Sequence, residues 1–258
     1  MSALSRFNSK PALTVYVKDY PHGTVELPHA HDCAQLVHAL SGVVRVETDA
    51  GVWMVPPNRG LWLPARTAHS LRAIGLVQAR TLFVDPWARA DLPESCGVVS
   101  ISPLVKALIV AAIDIQMPPP RGGREERVVE LLLDELRLLP VLGFHLPTPS
   151  SPELQRLCQT VSERIDHPWT VADAAHMLGV SERTVSRQFQ RETQVSFVEW
   201  LRTQRLLLAL EQLALGVSVL DVALAVGYDS PSAFSAMFRN RMGSSPSEYV
   251  SSLMAERR

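Results

Sequence analysis

The stretch HAHDCAQ, residues 29–35, contains the residue types that bind transition metals. Side chains alternate between the two faces of a β-strand, so an extended stretch would place His29, His31 and Gln35 on one face. Imidazole nitrogen suits Zn, Ni, Cu or Fe, whereas a neutral amide oxygen is a poorer ligand than a carboxylate. The pattern predicts a site for one divalent metal or another effector, with a metal-free pocket of hydrogen-bonded histidines as the alternative.

Cys33, within this stretch, and His38, three residues beyond it, have side chains that allow more than one role. Cys33 shares the parity of the histidines and could face the same pocket, although a buried structural thiol is the commoner outcome for a cysteine. His38 has the opposite parity, which favours the outer face of the strand or a local partner.

A second group of chemistry-bearing residues lies between Glu182 and Glu192. If this segment is a helix, Val185 and Phe189 face inward, and the opposite face is centred on Arg183, Arg187 and Gln190. Arginine and glutamine are suited to the edges of guanine and adenine in a DNA major groove. A solvated charged face is the alternative interpretation. The residues that flank this face are Thr184, Ser186 and Arg191.

An internal repeat brackets this helix. The segment TVADAAHMLG, residues 170–179, returns 48 positions later as SVLDVALAVG, residues 218–227. Thr170 and Ser218 are predicted helix N-caps, and the glycine at the end of each segment supplies a left-handed turn residue. A second capped helix follows each glycine, so the repeat predicts two helix-turn-helix units.

The second unit offers fewer base-reading groups. With Phe234 and Phe238 inward, its outer face consists of small residues and one arginine, which position a protein on DNA more than they specify sequence. These outward and flanking residues are Ser232, Ser235, Ala236, Arg239 and Asn240. A connecting helix over 197–215, about 27 Å long, would bring the two recognition helices near the ~34 Å spacing of successive major grooves.

The rest of the chain must position these groups. Short apolar-alternating runs between residues 12 and 85 predict an antiparallel barrel or sandwich. Helices are predicted over 104–115 and 125–139, and a stripe on the second helix predicts a homodimer contact, unless it packs on the first helix or the barrel. The stripe consists of Val128, Leu132, Leu136 and Leu139. The resulting domains are a barrel (10–90), a helical hairpin (100–140), a linker (141–152) and a helical domain (153–258).

Composition limits the possible partners. The net charge is −1, and the chain from Pro152 onward has 11 arginines against 12 acidic residues, so a DNA-binding surface requires local clustering of charge. No run is long and apolar enough to span a bilayer, and no secretion signal follows Met1. Three unpatterned cysteines fit a reducing compartment. These features predict a cytoplasmic protein without a membrane partner.

The C-terminal motifs GVSERTVSRQFQRET and GYDSPSAFSAMFRNRMGSSPSEY resemble the DNA-binding domain of the AraC family of bacterial transcription regulators over residues 152–258. The resemblance implies a double-stranded DNA partner, with base contacts from the two recognition helices. By position, those contacts fall on Arg183, Ser186, Arg187, Ser232 and Ser235. Ala236 stands where many members have an arginine, which weakens the expected direct readout by the second unit.

The N-terminal segment HAHDCAQLVHALSG resembles the first cupin motif, and PARTAH (residues 64–69) resembles part of the second. This resemblance implies metal ligands at His29, His31 and His69, with Gln35 in the position of the usual acidic ligand. Arg66 replaces a glycine of the second motif.

The sequence therefore predicts an α+β multi-domain protein with a cupin-like antiparallel barrel, a helical hairpin and an all-α double helix-turn-helix domain. The favoured function is a DNA-binding transcription regulator, not an enzyme, that responds to a small molecule or metal in the barrel. The alternative is a cupin metalloenzyme of the dioxygenase or isomerase type with a helical assembly tail. The second helix-turn-helix motif and the missing carboxylate both argue against the enzyme.

Overall fold

The structure, a computed structural model, describes residues 11–89, 91–137, 141–142 and 145–255. The chain divides into two compact units: one comprises Met1–Thr48 and Val55–Gly143, and the other comprises Asp49–Met54 and Phe144–Arg258. The segment predicted as a linker, 141–152, contains two short strands, Val141–Leu142 and His145–Pro147.

The strands follow the predicted alternation of apolar and polar residues. In chain order they are β1 (Leu13–Tyr20), β2 (Val25–His29), β3 (Ala34–His38), β4 (Val43–Thr48), β5 (Gly51–Val55), β6 (Arg59–Leu63), β7 (His69–Ile74), β8 (Val77–Val84), β9 (Gly97–Ser100), β10 (Val141–Leu142) and β11 (His145–Pro147).

Two antiparallel sheets build the first unit, which confirms the predicted cupin-like architecture. One sheet has the order β1-β8-β3-β6-β9-β10, and β4, β7 and β2 are neighbours in the other. Gln35 on β3 lies opposite Phe83 on β8, and Leu36 lies opposite Trp62 on β6. Because successive side chains alternate, Gln35 and Phe83 share one face of the sheet while Leu36 and Trp62 share the other.

The helical hairpin consists of α1 (Pro103–Ala112) and α2 (Arg124–Arg137). Leu132 and Leu136 are 0% and 1% exposed and join α1, Leu36 and Trp62 in one hydrophobic core. The prediction that this stripe forms a dimer contact is therefore wrong, because it is buried within the unit. Val128 is partly buried against the same core. Leu139 lies outside the described residues.

The second unit is mainly helical. Its helices are α3 (Pro152–Glu163), α4 (Val171–Leu178), α5 (Glu182–Thr193), α6 (Phe197–Ala214), α7 (Val219–Ala225), α8 (Pro231–Met242) and α9 (Pro246–Ala255). The β5 and β11 strands pair antiparallel, and the Trp53 ring stacks on His145 with centroids 4.0 Å apart. The Trp200 indole Nε1–H donates to the Pro147 carbonyl at 3.0 Å. In the described part of the chain, no helix combines the length and apolar character needed to cross a membrane.

The predicted caps define both helix-turn-helix units. Thr170 and Asp173 form a reciprocal capping box at the start of α4, and the Ser218 side chain accepts from the Asp221 amide at the start of α7. The recognition helices α5 and α8 begin after N-caps Ser181 and Ser230, whose hydroxyls accept from backbone amides. Each such cap contributes about 1 kcal/mol, so the sequence specifies these turns locally.

Replacing Gly227 with alanine should lower the free energy of unfolding of the helical unit by about 3 kcal/mol. Gly227 has φ +79°, and an added Cβ would lie 2.7 Å from the Asp166 carbonyl oxygen and from Arg205 Nη2. Gly179 is the matched control, because it has φ +65° but nothing within 4 Å of an added Cβ. Urea denaturation followed by tryptophan fluorescence should show a loss of only about 1 kcal/mol for Gly179→Ala. Equal losses for the two variants would contradict the steric argument.

Candidate effector and DNA-binding sites

Three histidines converge in the first unit. His29 at the end of β2 lies directly opposite His69 at the start of β7, and their ring centroids are 4.5 Å apart. His31 follows in the turn after β2, with its ring 4.9 Å from His29 and 5.6 Å from His69. One ring nitrogen of each histidine lies within 4.8 Å of the others, so the three side chains form a potential metal site.

Backbone hydrogen bonds orient two of these rings. His29 Nδ1 lies 2.7 Å from the Leu27 carbonyl oxygen, and His69 Nδ1 lies 2.9 Å from the Thr67 carbonyl oxygen. A carbonyl only accepts, so each Nδ1 carries the hydrogen and each Nε2 keeps a lone pair. Histidines that ligate a metal usually donate their other ring N–H to a carbonyl or carboxylate in this way. The residue types of this donor set suit a divalent transition metal, and bonds of about 2.0–2.1 Å require the ring nitrogens to come closer together than 4.8 Å.

The structure corrects the predicted strand parity. Residues 29–35 do not form one strand, because β2 ends at His29 and β3 begins at Ala34. His29 and His31 meet through a turn and not through alternation along a strand. Gln35 lies on β3, and its cross-strand partner Phe83 contacts the His31 ring with centroids 4.9 Å apart. Gln35 Oε1 is buried and has no hydrogen-bond partner among the described residues.

The electrostatics of the histidine site involve Glu26, which the sequence motifs did not reveal. Burial lowers the pKa of His31 and of His69, while the negative charge of Glu26 acts in the opposite direction on both. Burial would raise the pKa of Glu26, but hydrogen bonds from Tyr20 and Lys18 hold it below its usual range. Glu26 therefore supplies a negative charge near a site that lacks a carboxylate ligand. No motif marks it, since its role depends on strand register.

A cleft of about 370 Å³ adjoins His31. Its lining residues are Pro11, Thr14, Ala30, His31, Asp32, Cys33, Phe83 and Asp85. Cys33 is half-buried and faces this cleft, so the expectation of a buried structural thiol is wrong. The Arg66 amide donates to the His31 carbonyl at 2.6 Å, with Arg66 at φ +66°. Arg66 thus adopts the left-handed conformation that glycine populates most easily, at the position where the motif resemblance places a glycine.

His38 lies on the opposite face of β3 from Gln35, as its parity predicts, but it is fully buried. That face is covered by the helical hairpin, so the predicted outer-face position is not exposed to solvent. His38 Nδ1 donates to the Arg59 carbonyl oxygen at 2.9 Å. Burial lowers the pKa of His38 to about 4, and the positive charges of Lys106 and Arg80 act in the same direction.

This shift predicts acid sensitivity of the first unit. Between pH 6.5 and about 4, the unfolded chain binds a proton at His38 that the folded chain does not, so stability falls as the pH falls. Lowering the pH from 7 to 5 should cost about 2 kcal/mol from this residue. Urea denaturation at both pH values should show a smaller loss for His38→Gln, which keeps a donor toward Arg59. Equal pH dependence in both proteins would contradict the assignment.

The first recognition helix presents the predicted face to solvent. Val185 and Phe189 are fully buried, and Phe189 packs edge-to-face on Phe197 and Trp200 of α6. Arg183, Ser186, Arg187, Gln190 and Arg191 are exposed on α5, and Thr184 is half-buried. The side chain of Thr184 lies 2.9 Å from the Ser181 hydroxyl, and Gln190 Nε2 donates to the Gln194 carbonyl at 2.9 Å.

Positively charged side chains cluster on α5, although the acidic and basic residues of the unit are nearly equal in number. Arg183 and Arg187 lie one helical turn apart, and neither forms an ion pair within the described ranges. Glu192 at the end of α5 is turned away from solvent, since its carboxylate accepts from the Ser150 and Ser151 amides at 3.0 and 2.8 Å. The helix therefore has a positive surface although the unit as a whole does not.

The second recognition helix is less polar, as predicted. Phe234 and Phe238 are fully buried, and Phe238 packs against Tyr249 of α9. Ser232 and Arg239 are exposed and Ser235 is half-buried. Arg239 Nη2 lies 3.9 Å from a Glu248 carboxylate oxygen, which reduces the positive charge of this face.

Comparison with known proteins identifies the family. Residues 10–139 match the AraC-like ligand binding domain, and residues 174–252 match a helix-turn-helix domain. The HTH-type transcriptional regulator NimR of Escherichia coli (strain K12) is 31% identical over 191 residues, which cover 74% of this chain and 70% of NimR. The chain belongs to the AraC family of transcription regulators.

Two solved structures are also similar to this AraC-family protein. ToxT from Vibrio cholerae is 12% identical with a TM-score of 0.40, and the match covers 94% of this chain and 99% of ToxT. The DNA-binding domain of AdpA, solved in complex with a target DNA, is 33% identical with a TM-score of 0.40. That match covers 42% of this chain and 97% of the AdpA domain.

The family assignment distinguishes the two predicted functions. This AraC-family protein is a transcription regulator with an N-terminal ligand-binding domain and a C-terminal domain that binds double-stranded DNA. The alternative, a cupin metalloenzyme with a helical assembly tail, is not the function of this family.

Proposed function

We propose that this regulator senses a divalent transition metal through His29, His31 and His69, and that metal occupancy changes its affinity for DNA. The observation that carries the proposal is the convergence of three ring nitrogens within 4.8 Å, two of them on histidines whose Nδ1 is bound to a backbone carbonyl. Gln35 Oε1, buried without a donor among the described residues, is the proposed fourth ligand. A neutral donor set of this kind suits Zn, Ni, Cu or Fe.

Elemental analysis tests this proposal directly. The full chain should be purified without a histidine tag and titrated with Zn²⁺, Ni²⁺, Cu²⁺ and Fe²⁺, and DNA binding should be measured with and without the metal that binds. We expect one metal per chain and a change in DNA affinity, because a ligand acts only through unequal affinity for two conformations. Substoichiometric metal together with unchanged DNA affinity would favour a small organic effector in the cleft beside His31.

For DNA recognition, we propose that α5 reads base edges and α8 mainly positions the protein. Arg183 and Arg187 are exposed and form no ion pair with any residue that the structure describes, which supports base contacts by α5, and the Arg239–Glu248 pair supports a lesser role for α8. The proposed contact residues are Arg183, Thr184, Ser186, Arg187, Gln190, Arg191, Ser232, Ser235 and Arg239. A steep decrease in affinity with salt would report the phosphate contacts. A DNA partner also supports a cytoplasmic location.

We also propose that the protein is a homodimer whose contact surface is the exposed side of the helical hairpin, and not the buried stripe. Leu104, Val110 and Leu131 of the hairpin are exposed apolar side chains, whereas Leu132 and Leu136 are buried. Sedimentation of Leu131→Glu should show a smaller mass than the wild type, and Leu76→Glu, also at an exposed leucine, is the control. An unchanged mass for both variants would show that this surface of the hairpin does not form the dimer contact.

A further inference from the structure

A second cavity, of about 510 Å³, lies on the other side of the six-stranded sheet. Ala34 and Trp62 in its wall belong to the same hydrophobic core as Leu132 of α2. The histidine site lies toward Gln35 and Phe83, which occupy the opposite face of the sheet. The two sites therefore do not share a cavity.

The residues that line this second cavity are mostly apolar, and several of them have side chains that contain a ring. It includes Trp62, Trp87, Pro64 and Leu92, together with the polar residues Arg89 and Glu94. The Trp87 side chain is 93% exposed. A solvent-exposed tryptophan at the rim of an apolar cavity offers a large flat surface on which an aromatic ring of a ligand can stack. The volume lies within the range of about 300–1,000 Å³ that is usual for small-molecule sites.

Arg89 supplies an unused hydrogen-bond donor in this wall. Its Nη2 lies 3.2 Å from Asp134 Oδ1 and also binds the Glu130 carboxylate, both on α2. Its Nε–H is buried and has no acceptor among the described residues. A buried donor without a partner is destabilising, so a ligand that brings an acceptor to Nε removes that cost.

We propose that this cavity binds a neutral, mainly aromatic molecule that carries one hydrogen-bond acceptor, such as a carbonyl oxygen. The rings stack on the exposed Trp87, and the acceptor binds Arg89 Nε–H. A carboxylate ligand is disfavoured because Glu94, Glu130 and Asp134 already outnumber the guanidinium charge. A cationic ligand is disfavoured because its charge would repel the Arg89 guanidinium and because a cationic group cannot accept the Nε–H hydrogen bond.

The position of the cavity couples such a ligand to α2. Arg89 bonds to α2 through Glu130 and Asp134, and Arg137 of α2 lies 3.0 Å from Asp91 in the same loop. A ligand bound to Arg89 thus acts on side chains that hold the loop against α2. This site is independent of the proposed metal, so either proposal can fail without affecting the other.

The test uses the solvatochromic probe 6-propionyl-2-(dimethylamino)naphthalene, which is neutral, aromatic and carries one ketone, with the full chain. Binding should give saturable, blue-shifted emission at one probe per chain, with a dissociation constant below about 100 µM, and Trp87→Ala should weaken it about tenfold. Leu76→Ala, which shortens another exposed apolar side chain, should bind the probe like the wild type. Absence of saturable binding, or equal binding by Trp87→Ala and the wild type, would overturn the proposal.

A second variant tests the hydrogen bond. Arg89→Lys keeps the positive charge near Glu130 and Asp134 but removes Nε–H. The affinity for the ketone probe should therefore fall about fivefold. The variant should bind 2-(dimethylamino)naphthalene, which lacks the ketone, like the wild type. Arg45→Lys, at an arginine on β4 that pairs with Glu47, is the control for both probes. An equal effect of Arg89→Lys on the two probes would contradict the role of Nε–H.

Discussion

Replacing Arg187 with alanine should weaken binding to the cognate DNA site by about 1–3 kcal/mol, or roughly 5- to 150-fold. Arg187 is exposed at the centre of the α5 face opposite the buried Val185 and Phe189. A bidentate contact between its guanidinium and a guanine accounts for an effect of this size and for a preference at one base pair. The removal of that contact should relax the preference at that position.

Sites enriched from a random DNA pool by the wild-type protein provide the test, because the operator does not have to be known in advance. Fluorescence anisotropy should compare the enriched site, single-base variants of it and random DNA. Arg156→Ala is the matched control, since Arg156 is an exposed arginine on α3 that pairs with Glu153. An equal loss on random and enriched DNA would identify Arg187 as a phosphate contact, in contradiction to the base-reading role.

The double substitution of His29 and His31 by alanine should abolish stoichiometric metal binding and, with it, any metal-dependent change in DNA affinity. Only His69 and the proposed ligand Gln35 would remain, and one imidazole with a neutral amide does not hold a divalent ion at micromolar concentrations. The variant should fold normally, because both side chains are only partly buried. Its DNA affinity without metal should equal that of the metal-free wild type.

Elemental analysis and isothermal titration calorimetry measure this effect. His22→Ala is the control, because His22 is an exposed histidine of the same unit that lies outside the converging group. Retention of one metal per chain by the double variant would place the metal elsewhere. A native response to the physiological signal without these histidines would show that the effector acts through another site.

The helix-turn-helix units could be predicted almost completely from the sequence, because their determinants are local. Thr170, Ser181, Ser218 and Ser230 cap helices within four residues of their own positions, and Gly179 ends α4 with its own backbone conformation. The effector site could be predicted only in part. The three histidines do converge in the structure, but His29 and His69 meet through the register of β2 and β7, which lies beyond local sequence.

Burial was the harder property to predict. A period of 3.6 residues shows that Leu132 and Leu136 share a face, but it does not show what covers that face. The same limitation applies to His38, whose parity was predicted correctly and whose burial depends on the hairpin. Trp87, Arg89 and Glu26 have no motif, since their chemistry arises from neighbours distant in sequence. The solvent exposure of these side chains and the residues that they contact could therefore be learned only from the three-dimensional structure.

The discontinuous second unit has a practical consequence for fragment expression. A fragment beginning at His145 retains β11 but loses its partner β5, so it exposes an unpaired strand edge that favours aggregation. A fragment beginning at Ser150 loses that edge but also loses the Pro147 carbonyl, which leaves the buried Trp200 indole N–H without its acceptor. A linked copy of residues 49–54 should therefore improve soluble production of the DNA-binding part, because it restores the strand partner of β11 and allows Pro147 to be kept.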